Sequence, residues 1–556
     1  MGALRRSLAI LSIAMPAASA TLTGCEGDIV DPDVCDDESP PAAPAIIGLG
    51  PRPDFVVPDE LDIGVSALVD ADGDPQVGLE VEIWTRNPDG TARERVWFGA
   101  VSGPSRRNVR LADGRYENIA AFLGGLEDWR EHLVRARYLV QPPGSDCVSA
   151  GAWSAKLDFT TDDGSSAIFA PGLVRDYHVD LPPASVSSIN AEAIPPGCVP
   201  YQRNYYEGTF RDATRSFAGV GVKAKGGCGS ARTLDRKTAL KIHLGWDSPQ
   251  VAGCPASRRL DGLERFTFNN MVQDGTMAHE LMAYALYERM GVPVPRATFA
   301  RLHVNDVYYG LYLNVESVDR RFLARRFGSN RGALYEGTYW CDLIASNVAD
   351  DDSGCLVRTF EDDPCDSPPE PGDDPRDYTP LRALIASLDA LPAGGFYPAI
   401  GNHLDFETFL SMWAVDTVLA HWDGYLFNLR NNYRIYHDPS TNRWTIIPSG
   451  LDQTMQLRHV DDTLLDVQGR LGQRCLAEPA CAAAFGTRVR QALDVFGQLN
   501  MPSRRQDLQV HVNTLMTPDP GREFDPARFA SEHASTQQFI EQRPAIVLQA
   551  LTARGI

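Results

Sequence analysis

The stretch His421-Trp422-Asp423-Gly424-Tyr425-Leu426-Phe427-Asn428 carries the residue types needed for metal-assisted transfer of a phosphoryl group to a hydroxyl. That chemistry needs a carboxylate, here Asp423, to orient or deprotonate the attacking hydroxyl, and an amide such as Asn428 that can turn back to hold a divalent cation beside the phosphates. The same spacing also suits an ordinary loop ending a helix, so its surroundings decide its weight. Downstream, residues 433–436 and 443–447 read as a strand pair about Asp438-Pro439-Ser440. The second strand runs into Pro448-Ser449-Gly450-Leu451-Asp452, placing another carboxylate just after a hairpin. Upstream, residues 236–244 alternate, with Thr238, Leu240, Ile242 and Leu244 on one face and Lys237, Lys241 and His243 on the other. A lysine projecting from a strand supplies charge for phosphate oxygens, although Lys241 and His243 also fit the solvated side of an edge strand. Before it, Lys223 and Lys225 lie among Gly219, Gly221, Gly226, Gly227 and Gly229, which lack GxGxxG spacing and alone say only loop.

Several elements must position these groups. Residues 405–419 form an apolar helix capped by Asp405 and leading directly into His421. Residues 276–290 form another, with Thr276 as N-cap and Gly291 past its end. Residues 298–304 and 307–315 alternate about Asn305-Asp306 as a hairpin, with Glu316 at its end, where a surface carboxylate is the plain alternative. Residues 349–380 are rich in Asp and Pro and read as an exposed, disulfide-clipped insertion, and the chain after residue 460 reads as helical. His421 reads as a packing or capping histidine, and Asn431 and Asn432 suit either hydrogen bonds to the Asp423 loop or a turn.

Residues 45–165 carry short alternating runs between Gly, Pro and Asp turns, the pattern of a small all-β sandwich. Its Asp70-Ala71-Asp72-Gly73-Asp74 segment suits a solvated turn or a calcium loop. The 556 residues are 43% hydrophobic, enough for several cores. The net charge of -21 argues against affinity for nucleic acid or anionic lipid. Arg5 and Arg6, the apolar run 8–20 and Leu22-Thr23-Gly24-Cys25 read as a leader (residues 1–24) ending in a sequence similar to a bacterial lipobox, which implies a lipid anchor on Cys25. Cleavage near Ala20 is the alternative. Residues 25–44 then form an acidic, Pro-rich tether. Of the 11 cysteines, those other than Cys25 are even in number and lack CxxC spacing, as expected of disulfides in an oxidising compartment; Cys355 with Cys365 and Cys475 with Cys481 are plausible pairs.

Residues 220–452, and the chain beyond them, resemble the CotH (spore-coat protein H) kinase family. The matching blocks are Lys225-Gly226 with Ser230, Lys237-Thr238-Ala239-Leu240-Lys241-Ile242, Phe268-Asn269 with Asp274, the hairpin residues Asn305, Gly310, Tyr312, Glu316 and Asp319, and Asp423-Gly424 with Asn428. The resemblance implies a multidomain chain in which the β-sandwich is followed, over residues 186–556, by an α+β atypical protein-kinase-like domain with a helical C-terminal part. It implies transfer of the γ-phosphoryl of ATP, with Mg2+ or Mn2+, to Ser or Thr of an envelope or surface protein. Carried over, Asp423 is the base, Asn428 and Asp452 hold the metal, Lys237 binds phosphate with Lys225 and Lys241 nearby, and Glu316 sits near the nucleotide. Where the family reads P-W-D-x-D, Gly450 replaces the first carboxylate, which leaves a catalytically silent surface scaffold or adhesin as the alternative. The family's arginine before the helix is Ala278, leaving Glu280 as partner for the lysine unless it is a charge on an exposed helix face.

Overall fold

Alternating apolar residues build two separate β-rich units in this chain, and long helices complete the larger one. The structure is a computed structural model describing residues 39–556 except 52–55, 88, 124, 193, 195–196, 200–202, 247–257, 329–330, 349–353, 360–376, 393, 464, 517–522 and 524. The leader, Cys25, most of the tether, Cys35, Cys254, Cys365 and most of the 349–380 insertion lie outside the described residues. Among the described residues no helix is long and apolar enough to cross a membrane.

The smaller unit contains Asp62–Ala121 and Leu133–Asp158 together with the segment ending at Leu49. It has a three-stranded and a six-stranded sheet. In its long strand Gln76–Arg86, Leu79, Val81 and Ile83 are buried at every second position, as a strand with one face on a core requires. In the acidic turn, Asp70 Oδ1 accepts from the amides of Gly73 (2.8 Å) and Asp74 (2.9 Å), and Asp72, hydrogen-bonded to Asp70, is pushed up to about 6.

The larger unit holds Gly50–Leu61, Phe122–His132 and Phe159–Ile556. Its strands are β1 (Arg175–Asp180), β2 (Tyr206–Arg211), β3 (Ser216–Lys225), β4 (Ala239–His243), β5 (Arg265–Asn269), β6 (Ala297–Val304) and β7 (Val307–Val315), closed into a barrel in the order β1-β2-β3-β4-β5-β7-β6. The parallel β1/β6 pair closes it. Val220, Val222, Leu240, Ile242, Phe266 and Phe268 fill the interior, so the intervening Lys223, Lys225, Lys241, Thr267 and Asn269 point outward. β4 is paired on both sides and His243 is buried, which corrects the edge-strand alternative. The 305–306 turn has Asn305 at φ 48° and Asp306 at φ 61°, the left-handed pair a two-residue hairpin needs.

A second sheet, antiparallel throughout, runs β9-β8-β10-β11 from β8 (Leu334–Gly337), β9 (Leu356–Arg358), β10 (Tyr433–Asp438) and β11 (Arg443–Pro448). The helices that matter here are α1 (His279–Arg289), α2 (Arg320–Phe327), α3 (Thr379–Ala390), α4 (Phe406–Leu419), α5 (Pro479–Gln498), α6 (Met501–Met516) and α7 (Pro526–Arg554). α4 is apolar nearly all round and buried accordingly; Asp405 caps it by accepting from the Thr408 amide, and Trp413 stacks on Phe485 of α5 at 3.6 Å. α1 begins at His279 rather than Thr276. Ala278 holds the N-cap position without a side-chain cap, and the turn before it is tied by Asp274, which accepts from the amides of Thr276 (2.9 Å) and His279 (2.8 Å).

Disulfides join Cys198 to Cys228, Cys341 to Cys355, and Cys475 to Cys481. The expected Cys355–Cys365 pair is therefore wrong: pairing of β8 with β9 brings Cys355 to Cys341.

Candidate active site

Asp423 lies in the loop after α4, and burial holds it above the usual carboxylate range against the opposing pull of His421. Its Oδ2 accepts from Asn432 Nδ2 at 2.7 Å, while His421 Nε2 stands 3.4 Å from Oδ1. The His421 ring is held from behind by Asp416, whose Oδ1 is 3.1 Å from Nδ1 and also accepts the Tyr287 hydroxyl. Burial disfavours charge on His421, but the Asp416 hydrogen bond and the carboxylates of Asp416, Asp423 and Asp452 outweigh it and raise its pKa. A buried hydrogen-bonded chain of Tyr287, Asp416 and His421 thus ends 3.4 Å from Asp423 Oδ1, and the hydrogen bond that holds the carboxylate comes from Asn432.

Asp452 sits in a one-turn helix, Leu451–Gln453, directly after β11. Its carbonyl accepts from His279 Nδ1 (3.1 Å), and His279 Nε2 is 2.8 Å from Thr536 Oγ1, so α1 and α7 together position it. Burial first, then the carboxylates of Glu280, Asp423 and Asp274, push Asp452 up to about 8. Lys225 is the cation whose charge opposes this. It donates to Asn269 Oδ1 at 2.6 Å, and Asn269 Nδ2 donates to Glu280 Oε2 at 2.9 Å. Glu280 is buried and also accepts from Tyr284, which removes the exposed-face alternative. Lys225, Glu280, Asp423 and Asp452 therefore share one electrostatic cluster. Carboxylates outnumber the ammonium here, and oxygen donors are the type that Mg2+ or Mn2+ takes, but among the described residues the three carboxylates whose oxygens all lie within 4.8 Å of one another are Asp70, Asp72 and Asp74 of the smaller unit.

Next to Lys225, Lys223 and Lys241 occupy opposed positions on β3 and β4. Burial, then the neighbouring Lys223, Arg434 and Lys225, depress Lys241 to about 7 against the opposing pull of Glu336, which itself pairs with Arg434 at 2.9 Å. Like charges directly opposed across strands repel, and phosphate oxygens would relieve them.

The remaining expected residues lie elsewhere. Lys237 is buried before β4 with its ammonium 5.3 Å from the Tyr312 ring, and lines a small cavity with Asn270, Asp274, Glu523 and Arg528. Glu316 is buried between Arg296 (2.7 Å) and Arg325. Asn428 is exposed, and its Oδ1 accepts from Gln468 at 2.9 Å; Asn432, four residues on, is the amide that reaches Asp423.

Some positioning residues escaped the motif reading. Asp416 had a signal, as the acid inside the apolar helix. Arg543 had none: from α7 its wholly buried guanidinium donates to the carbonyls of Thr417 and Val418 at the end of α4 and of His459, Val460 and Asp462 beyond Asp452. Those carbonyl dipoles favour a cation at a helix C-terminus. Trp422 stacks on His459 at 5.1 Å, joining the two segments a second time.

The sequence is similar to inner spore coat protein H of Bacillus subtilis (strain 168), 21% identical over 294 residues that make up 51% of this chain and 77% of that protein. The CotH kinase protein family matches residues 222–547, which include β4 to α6, both strands of the β10/β11 hairpin and every residue of the Asp423 cluster, and the chain therefore belongs to that family.

Proposed function

We propose that this protein is an atypical protein kinase acting outside the cytoplasm, moving the γ-phosphoryl of ATP to Ser or Thr hydroxyls of envelope or surface proteins. The observation that carries the reading is the cluster of Asp423, Asp452, Glu280 and Lys225, brought together from four separate segments. Lys225, Lys223 and Lys241 present ammonium groups to the phosphates, and the Asn269 bridge holds Lys225 in place. Asp452 offers carboxylate oxygens to Mg2+ or Mn2+, which when bound neutralises charge on the phosphates. Asp423 orients the acceptor hydroxyl and receives its proton as the new O–P bond forms and the bond to the β-phosphate oxygen breaks. Asn432 holds one oxygen of Asp423 by a hydrogen bond, and His421 stands 3.4 Å from the other. The leader-like start with its lipobox-like Leu22-Thr23-Gly24-Cys25 sequence and the disulfides support an envelope location, and the net charge of -21 supports a protein rather than a nucleic-acid partner.

Gly450 favours a second reading, a catalytically silent scaffold that displays its surface. Mass analysis of a Ser-rich acceptor after incubation with ATP and Mn2+ separates them: a gain of ~80 Da per site supports the kinase. A larger adduct indicates transfer of another part of the nucleotide. No adduct from folded, oxidised protein supports the scaffold.

A further inference from the structure

Gly450 and Asn432 are neighbours by register. Tyr433 of β10 pairs with Pro448 of β11, and the next residues out are joined by a hydrogen bond from the Ser449 amide to the Asn432 carbonyl at 2.8 Å. Gly450 has φ +63°, and a Cβ built on it would lie 2.4 Å from Asn432 Oδ1, 2.5 Å from Cγ and 2.9 Å from Nδ2. The amide has little freedom to withdraw: Nδ2 donates to Asp423 Oδ2 at 2.7 Å and Oδ1 accepts from Asn431 Nδ2 at 3.2 Å. Asn432 is itself at φ 54°, a conformation that asparagine tolerates better than most residues.

We infer that Asn432 and Gly450 are a matched pair, in which the Asn432 carboxamide occupies the volume a side chain at 450 would fill and acts as the positioning residue for Asp423. The missing carboxylate at 450 is then a compensated exchange rather than a simple loss. A glycine selected only for its positive φ would leave positions 432 and 450 energetically independent; a matched pair couples them. This inference rests on the kinase reading for its catalytic half alone.

The test is a cycle of wild type, Asn432→Gly, Gly450→Asp and the double substitution, with aspartate chosen because it accepts positive φ. Thermal unfolding in EDTA and steady-state phosphoryl transfer are measured on each. Asn432→Gly is expected to lower kcat by about 10²-fold, as loss of positioning does, with KM for ATP changed less than about twofold. Gly450→Asp alone lowers both the unfolding midpoint and kcat. In the double variant the added aspartate costs far less stability than it does in the wild type, and kcat rises above that of either single variant. Additive losses in unfolding, or a wild-type kcat for Asn432→Gly, overturn the pairing. If the wild type transfers nothing, the kinase reading falls, while the unfolding cycle still decides whether the two positions are coupled.

Discussion

Lys225 and Glu280 are joined through a single amide: Asn269 accepts from the lysine at 2.6 Å and donates to the glutamate at 2.9 Å. The lysine ends one barrel strand, the amide ends another, and the glutamate opens α1, so this bridge ties barrel to helix beside Asp452. Burial lowers the Lys225 pKa, and the Glu280 and Asp452 charges act against that.

Asn269→Ala removes the bridge and leaves buried Glu280 short of a donor. A lost buried hydrogen bond of this kind costs about 1–3 kcal/mol, measurable by urea unfolding. Transfer activity should fall about tenfold in kcat/KM for ATP, equivalent to about 1.4 kcal/mol of transition-state stabilisation. Unchanged kcat/KM would mean that Lys225 needs no tether.

In metal-free protein, Asp452 should make the fold less stable as pH rises. Its folded value of about 8 lies above the 3.8 of an unperturbed aspartate, so between these limits the folded state binds the extra proton and stability declines with increasing pH. The loss is complete above about 8, and each unit of elevation corresponds to about 1.4 kcal/mol. Asp452→Asn, which keeps the shape and removes the charge, should therefore unfold at a higher temperature than wild type at pH 9 in EDTA and at a similar temperature near pH 4. Equal midpoints at pH 9 would contradict the electrostatic description of the site.

Arg543→Met should be among the most damaging single changes. It strips five backbone carbonyls of their guanidinium donor, and each buried acceptor left without a donor costs about 1–3 kcal/mol. His459→Ala, which removes the stack on Trp422, should cost much less. Chemical unfolding compares the two, and a smaller loss for Arg543→Met than for His459→Ala would contradict the clamp.

Much of this arrangement was legible in the sequence wherever local pattern decides structure. The helix 405–419, the Asn305-Asp306 hairpin and the Cys475–Cys481 pair follow from periodicity, turn chemistry and short separation. What was not legible depends on which strands meet. Lys237 precedes one strand and Lys225 ends another, but only the pairing of β3 and β5 on either side of β4 brings Lys225 to Asn269 and through it to Glu280. Asn428 has the motif spacing, yet the loop spends its turns before β10, and the β10/β11 register brings Asn432 to Asp423 instead. Cys355 looked close to Cys365 along the chain, whereas the β8/β9 pairing places it against Cys341.

The Cys341–Cys355 bond supports the Asp423 loop at one remove. The Cys341 amide donates to the Arg430 carbonyl at 3.1 Å, and the Trp340 amide to Leu429. Closing a loop of this size is worth about 3 kcal/mol in the chain-entropy description. Replacing both cysteines by alanine should lower stability by about 2–4 kcal/mol. Peptide mapping of the native protein should recover residues 341 and 355 in one disulfide-linked fragment; recovery of 355 with 365 would contradict the pairing.

Phosphoryl transfer at Asp423 is tested most directly by single-turnover reaction of γ-labelled ATP with the oxidised protein and Mn2+, comparing wild type with Asp423→Asn. The variant keeps the size of the side chain and loses its ability to take the hydroxyl proton. Label is expected on serine or threonine of the acceptor with wild type, and a fall of about 10²-fold or more in the transfer rate with the variant, at matched unfolding temperature and unchanged nucleotide affinity. Equal rates for the two proteins, or no transfer from folded wild type, would contradict phosphoryl transfer at Asp423.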